Sequence, residues 1–184
     1  GDVARIKAGL KALGLNEPAS PAGGQKFVFL LMQLVSLLEK GESVRMSKRE
    51  GRFVTLDELL EKVPADVAKF FFLSKSLDSH IEFDLELAKE QSNRNPVFYI
   101  QYAHARCASI LKTAKKENYS LKNLSKADLS LIKEPLELDL VKRLIRLPEL
   151  IEDLARNFSV HILAIDTLKL ADSFHKFYEK VRVV

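Results

Sequence analysis

The sequence predicts a mainly α-helical protein in which a small α/β part, residues 1–80, precedes an α-helical bundle, residues 81–184. Two observations support this division. A nearly continuous apolar run, residues 27–37, lies in the first part and has the composition of a buried strand of a parallel sheet. After residue 80 the apolar residues recur at the helical period, with no strand pattern and no internal repeat. The boundary is therefore predicted near residue 80.

Composition allows one globular domain, or a small domain with part of another, in the 184 residues. The 29 basic residues exceed the 25 acidic ones by only four, so a nucleic-acid partner would need a localised basic patch. A single cysteine, Cys107, excludes an internal disulfide and is expected to be buried in a reducing compartment. The chain is predicted to be cytoplasmic and not membrane-bound, because its apolar run is shorter than the roughly 20 residues of a membrane span and no signal peptide precedes it.

The first helix is predicted to end at Gly14 and to carry Val3, Ile6, Leu10 and Leu13 on one face. The chain opens inside this helix without a methionine, and its last residues stop in mid-pattern. We therefore expect an internal fragment of a longer protein.

The rest of the first part is predicted to hold one strand and two short helices. Residues 27–37 are expected to form a strand buried on both faces, with a buried helix as the alternative. Thr55 and Glu58 form a capping box for a helix that Pro64 ends, and Asp66 is expected to cap the next helix. The apolar residues expected to bury that second helix are Val67, Phe70, Phe71 and Leu73.

The second part is predicted to contain helices at about residues 85–93, 96–115, 138–157 and 161–181. Asn95 is a suitable cap and Pro96 a suitable first residue for the second of these, and Pro148 is expected to kink the third. The predicted core face of the helix at 96–115 consists of Ile100, Ala103, Cys107, Ile110 and Leu111.

Residues 45–49, Arg-Met-Ser-Lys-Arg, lie in a glycine-flanked loop between the predicted strand and the capped helix. A fixed cation, a hydroxyl and free backbone amides in such a loop can bind a polyphosphate and stabilise its developing charge. On spacing alone, three basic residues in five are more often a solvated turn.

Met46, Ser47 and Lys48 resemble the core of the KMSKS signature of class I aminoacyl-tRNA synthetases. Arg45 replaces the first lysine and Arg49 the final serine of that signature, changes that are similar to those in the arginyl enzymes. The resemblance implies that residues 45–49 bind ATP, and that Lys48 is the catalytic residue that steadies the ATP phosphates as pyrophosphate leaves.

The sequence around the loop is similar to arginyl-tRNA synthetases in the order of its landmarks: residues 51–56, 66–73, 78–80, 83–84 and 95–106. The resemblance implies ATP-dependent attachment of L-arginine to its tRNA through arginyl-adenylate, with ATP accompanied by Mg²⁺, in a monomer. No structural metal is expected, because the four histidines lack metal-ligand spacing. A neighbouring class I synthetase is a weaker alternative.

Residues 95–106 resemble the strongest arginyl-family signature, at the entrance to its tRNA-binding domain. Tyr99, Tyr102 and Arg106 share one helix face, where rings and a guanidinium can stack on unpaired bases and meet phosphate. The alternative is that Tyr99 and Tyr102 seal the joint between the two parts of the chain. The residues predicted to bind tRNA are Asn95, Tyr99, Gln101, Tyr102 and Arg106.

The resemblance also implies that the HIGH motif and most of the nucleotide-binding fold precede residue 1, and that helical sequence follows residue 184. The isolated fragment is therefore expected to be inactive in arginine activation, and its anticodon-binding domain to be truncated. Two other functions are open on sequence grounds: a stand-alone helical RNA-binding module, and a structural helical scaffold whose basic groups are solvated.

Overall fold

The computed structural model describes residues 2–15, 27–44, 54–119 and 127–183. The mainly α-helical fold predicted from the sequence is confirmed. The elements before residue 85 are α1 (Asp2–Ala12), β1 (Val35–Glu39), β2 (Glu42–Ser43), α2 (Leu56–Lys62), α3 (Ala65–Leu73) and β3 (Ile81–Asp84). Those after it are α4 (Leu85–Lys89), α5 (Pro96–Lys116), a 3₁₀ turn (Leu129–Leu131), α6 (Pro135–Asn157) and α7 (Val160–Lys180).

The three strands form one sheet in the order β2-β1-β3. A two-residue turn, Lys40 and Gly41, joins β1 to β2, and both of its residues have positive φ, as a tight hairpin requires. β1 runs parallel to β3, with Leu37 opposite Phe83. The sequence did not predict β3, since four residues carry too short an alternation to indicate a strand. Because β3 completes this sheet, we propose that the α/β part extends at least to Asp84 rather than ending near residue 80.

The prediction of a strand at residues 27–37 that is buried on both faces was wrong. The strand β1 begins at Val35, and residues 27–34 have no regular secondary structure. Only Leu37 of β1 is buried, while Leu31 and Leu34 before the strand are exposed. A continuous apolar run shows that side chains favour burial, but not whether a neighbouring element covers them.

The first core surrounds Phe83, which is fully buried, with the rings of Phe71 and Phe72 at 5.4 and 5.3 Å from its centroid. Leu73, expected in this core, is exposed because it lies on the opposite side of α3 from Phe71. The remaining buried members of the core are Leu37, Leu59, Val63, Val67, Ala68, Leu85, Ala88 and Val97. This core therefore joins the sheet, α2, α3 and α4 to the first turn of α5.

The helix caps agree with the sequence at two of three positions. Thr55 and Glu58 form the predicted reciprocal capping box at α2. Asn95 caps α5 and Pro96 is its first residue, as predicted. Asp66, however, does not cap α3, because the helix begins at Ala65 and Asp66 already lies in its first turn.

Asn95 has a second structural role, because its side chain is 2% exposed and makes three hydrogen bonds. Its Oδ1 accepts from the Val97 amide at 3.0 Å. Its Nδ2 donates to the carbonyls of Ala88 and Glu90 at 3.2 and 2.9 Å. The side chain thereby fixes the end of α4 against the beginning of α5.

Replacing Asn95 with alanine is expected to lower the free energy of unfolding by about 1–3 kcal/mol, because it leaves buried backbone groups without partners and removes a cap. Urea unfolding followed by circular dichroism measures the change. Asn93→Ala is the matched control, since Asn93 is an exposed asparagine two residues away. Equal stability of the two variants would contradict this role for Asn95.

The second core is formed where α7 packs against α5 and α6. Its buried members are Ala103, Ala171 and Phe174. Cys107, predicted to be buried, is exposed, and so is Leu111. Ile100, Ala103 and Ile110 of the predicted core face do belong to this core. The stripe that α7 covers is nevertheless shifted around α5 and includes two polar residues. That covered stripe consists of Tyr99, Ala103, Arg106 and Ile110.

Candidate nucleic-acid interface

α5 and α7 run in the same direction, because their contacts advance along both helices together: Tyr99 meets Asp172, and the later Thr113 lies near Val183. The Tyr99 hydroxyl donates to Asp172 at 3.3 Å, while Thr113 and Val183 line a common groove of about 280 Å³ at the far end. Basic residues in a last helical turn interact favourably with the negative end of the helix dipole. Here two such turns lie side by side. The exposed basic residues at this shared end are Lys112, Lys115, Lys116, Lys180 and Arg182.

His175 lies at the centre of the α5–α7 contact and is 4% exposed. Its Nε2 lies 3.1 Å from the Tyr99 carbonyl, and its Nδ1 lies 2.9 Å from Nη1 of Arg106. A carbonyl only accepts a hydrogen bond and a guanidinium only donates. These two neighbours therefore select the neutral imidazole that carries its proton on Nε2.

Arg106 lies between two tyrosine rings at the edge of this contact. Its guanidinium carbon is 4.4 Å from the ring centroid of Tyr102 and 4.7 Å from that of Tyr178. Nη2 also donates to the Tyr102 hydroxyl at 3.1 Å. The two rings are 41% and 38% exposed, so solvent reaches both. We call Tyr102, Arg106 and Tyr178 the aromatic–guanidinium array.

The charge of Arg106 is not neutralised by any carboxylate of the described residues within ion-pair distance. Its acceptors are the His175 imidazole and the Tyr102 hydroxyl, which are both neutral. Lys176, by contrast, pairs with Asp172 at 2.7 Å, and this carboxylate raises the pKa of the Lys176 ammonium. The array therefore presents a cation that can still bind an anion, flanked by two partly exposed aromatic rings.

Tyr99 faces the interior of the helix pair. Its ring centroid is 4.4 Å from that of His175, and its hydroxyl is bound to Asp172. Burial, and then the charge of Asp172, raise the pKa of the Tyr99 phenol. Tyr99 thus packs between α5 and α7, whereas the alternative interpretation placed it at the joint between the two parts of the chain.

Comparisons with known proteins bear on these residues. The family model described as the DALR anticodon binding domain matches residues 100–184, which include the whole array. The chain is 44% identical over 184 residues to the arginine–tRNA ligase of Carboxydothermus hydrogenoformans, covering 100% of the chain and 32% of that protein. It is 46% identical over 184 residues to the corresponding ligase of Desulforamulus reducens, again covering 100% of the chain and 32% of the relative.

A solved structure gives the same result. The crystal structure of a putative arginyl-tRNA synthetase from Campylobacter jejuni matches with a TM-score of 0.78 and 30% identity, over 100% of this chain and 38% of that one. Over its whole length the chain is therefore similar to a segment of arginyl-tRNA synthetases. It spans about a third of the length of the curated relatives that it matches.

Within this synthetase segment, the structure brings together three of the five residues predicted to bind tRNA: Tyr99, Tyr102 and Arg106. Asn95 is a correction, because its buried and fully bonded side chain offers no surface to RNA. Gln101 lies apart from the array and donates to Asp66 at 2.6 Å, beside a cleft of about 500 Å³ between α3 and α5. Its role in tRNA binding remains a prediction.

The predicted ATP-binding residues of the segment, Arg45, Met46, Ser47, Lys48 and Arg49, lie outside the described residues. The elements on either side are described: β2 ends at Ser43, and α2 begins at Leu56. In the described ranges no group of three or more His, Cys, Asp or Glu side chains is placed to hold a metal ion. Nor does any described helix have the length and apolar content needed to cross a membrane.

Two residues of the interface, His175 and Tyr178, were not among the residues predicted to bind tRNA. Their spacing of three places them on one face of α7, which is a signal that could have been used. Arg106 and His175, however, are 69 positions apart in the sequence. Helical spacing cannot indicate a partner at that distance.

Proposed function

We propose that this chain is the part of an arginine–tRNA ligase that binds tRNA and contributes the KMSKS-like loop. The reaction is the ATP-dependent attachment of L-arginine to its tRNA through arginyl-adenylate. The identity of the whole chain to a segment of arginine–tRNA ligases and the match to an anticodon-binding family support this proposal. The ligase acts as a cytoplasmic monomer, with tRNA, ATP and L-arginine as its partners.

ATP enters this reaction as its magnesium complex. Mg²⁺ in such sites is held by the substrate phosphates, by water and by one or two carboxylates. We therefore expect the nucleotide phosphates to supply most of the ligands of the ion other than water.

The observation that carries the tRNA-binding proposal is the aromatic–guanidinium array. Unpaired bases stack on exposed tyrosine rings, and a guanidinium without a carboxylate partner can bind phosphate. Tyr102 and Tyr178 supply such rings, and Arg106 supplies such a guanidinium. The basic end shared by α5 and α7 adds attraction for the RNA backbone.

Replacing Tyr102 with alanine is expected to weaken binding of arginine tRNA by about 1–3 kcal/mol, the scale of one base stacked on one ring. Filter binding of the 184-residue chain to a tRNA transcript measures the loss. Tyr102→Phe is the matched control, because it keeps the ring and removes only the hydroxyl bound to Arg106. It should retain most of the stacking contribution.

Arg106→Gln is expected to weaken binding and to flatten its dependence on salt, because one fewer phosphate contact releases fewer counterions. Each variant is first compared with wild type by thermal melting. Unchanged tRNA affinity together with a lowered melting temperature would show that the array only packs α5 against α7. The interpretation of this face as packing would then be correct, and tRNA would be bound by other residues of the chain.

A further inference from the structure

We propose that His175 is a positioning residue for tRNA binding, which holds the Arg106 guanidinium between the rings of Tyr102 and Tyr178. The inference rests on the proposed function of the array. It assigns to His175 no contact with RNA, since its side chain is buried. Its effect on the RNA is exerted through Arg106.

The geometry gives His175 control over one end of the guanidinium. Nδ1 accepts from Nη1 at 2.9 Å, and the Tyr102 hydroxyl accepts from Nη2 at 3.1 Å. A guanidinium has five N–H donors in a rigid plane, so two acceptors on different nitrogens set the orientation of that plane. The other donors stay available to a phosphate or a base edge.

The imidazole is itself held from several sides. Nε2 donates to the Tyr99 carbonyl, while the rings of Tyr99, Tyr102 and Phe174 lie with centroids 4.4, 5.4 and 6.0 Å from the imidazole. A side chain packed in this way loses little additional freedom when RNA binds. The acceptor for Arg106 is therefore in place before the tRNA arrives.

A neutral acceptor has an advantage over a carboxylate at this position. Aspartate or glutamate would also orient the guanidinium, but it would neutralise the charge that attracts phosphate. The imidazole with its proton on Nε2 orients Arg106 and leaves the full positive charge. This explains why a buried histidine, rather than an acid, supports an arginine proposed to bind RNA.

Substituting His175 with asparagine or with glutamine tests its two hydrogen bonds one at a time. Asparagine places its oxygen on Cγ, where the imidazole carries Nδ1, and can accept from Arg106. Glutamine reaches the position of Nε2 and can keep the bond to the Tyr99 carbonyl, but it leaves Nη1 without its acceptor. Both substitutions remove the ring, so their stabilities should fall together.

The test measures binding of the 184-residue chain to an arginine tRNA transcript over a range of salt concentrations. We expect His175→Asn to retain affinity within about twofold, and His175→Gln to lose roughly tenfold, with a salt slope shallower by about 0.7–0.9. NMR of the Arg106 side chain should show restricted guanidinium rotation in wild type and His175→Asn, and free rotation in His175→Gln.

Arg106→Gln distinguishes failure of the proposed role of His175 from failure of the proposed function of the array. If it weakens binding while both histidine variants bind like wild type, His175 does not position Arg106 and the inference is overturned. Equal losses for His175→Asn and His175→Gln, in step with their melting temperatures, would also overturn it by showing a structural role. If Arg106→Gln itself binds normally, the proposed function of the array fails.

Discussion

Replacing Phe83 with alanine is expected to lower the free energy of unfolding by about 3–5 kcal/mol, the scale for deleting a fully buried aromatic side chain. Phe83 lies at the centre of the first core, between Phe71 and Phe72 and opposite Leu37. The neighbouring rings belong to one helix and cannot all move into the cavity. The free-energy cost of the lost apolar contacts and the cost of the remaining cavity therefore add.

The loss of stability should also affect α5, the helix that carries Tyr102 and Arg106. Val97, in the first turn of α5, belongs to the same core as Phe83. Chemical unfolding followed by circular dichroism measures the loss of stability. Glu82→Ala is the matched control, because Glu82 is the exposed neighbour in the same strand. A loss below about 1 kcal/mol for Phe83→Ala would mean that the core collapses around the missing ring.

In the full-length ligase, replacing Lys48 with alanine is expected to slow arginine activation by about 10²–10³-fold, as for removal of one group aimed at developing charge. The resemblance of residues 45–49 to the KMSKS signature motivates this prediction. The described elements before and after this segment pack with the first core, β2 through its pairing with β1 and α2 through Leu59.

Arginine-dependent exchange of pyrophosphate into ATP measures this activation step directly. Lys75→Ala is the control, since Lys75 is an exposed lysine just after α3 and outside the signature. It should exchange at the wild-type rate. If Lys48→Ala also exchanges at that rate, Lys48 takes no part in activation.

Local sequence patterns predicted most of the helices correctly. The capping box of Thr55 and Glu58, and the pair Asn95 and Pro96, identified the starts of α2 and α5. These features act between residues at most four positions apart, so the sequence contains all the information that they need. Asp66 shows the limit of such rules, because a residue suited to capping can equally lie in the first turn.

The sequence by itself determined that α5 carries two tyrosines and an arginine on one face, and that the chain resembles the arginyl family. Only the tertiary structure decided that this face packs on α7, that Cys107 is exposed, and that His175 supports Arg106. The physical reason is that the helical period is set by local backbone geometry, whereas the partner of each face depends on how distant helices pack. The same reason explains β3, whose four residues form a strand by pairing with β1.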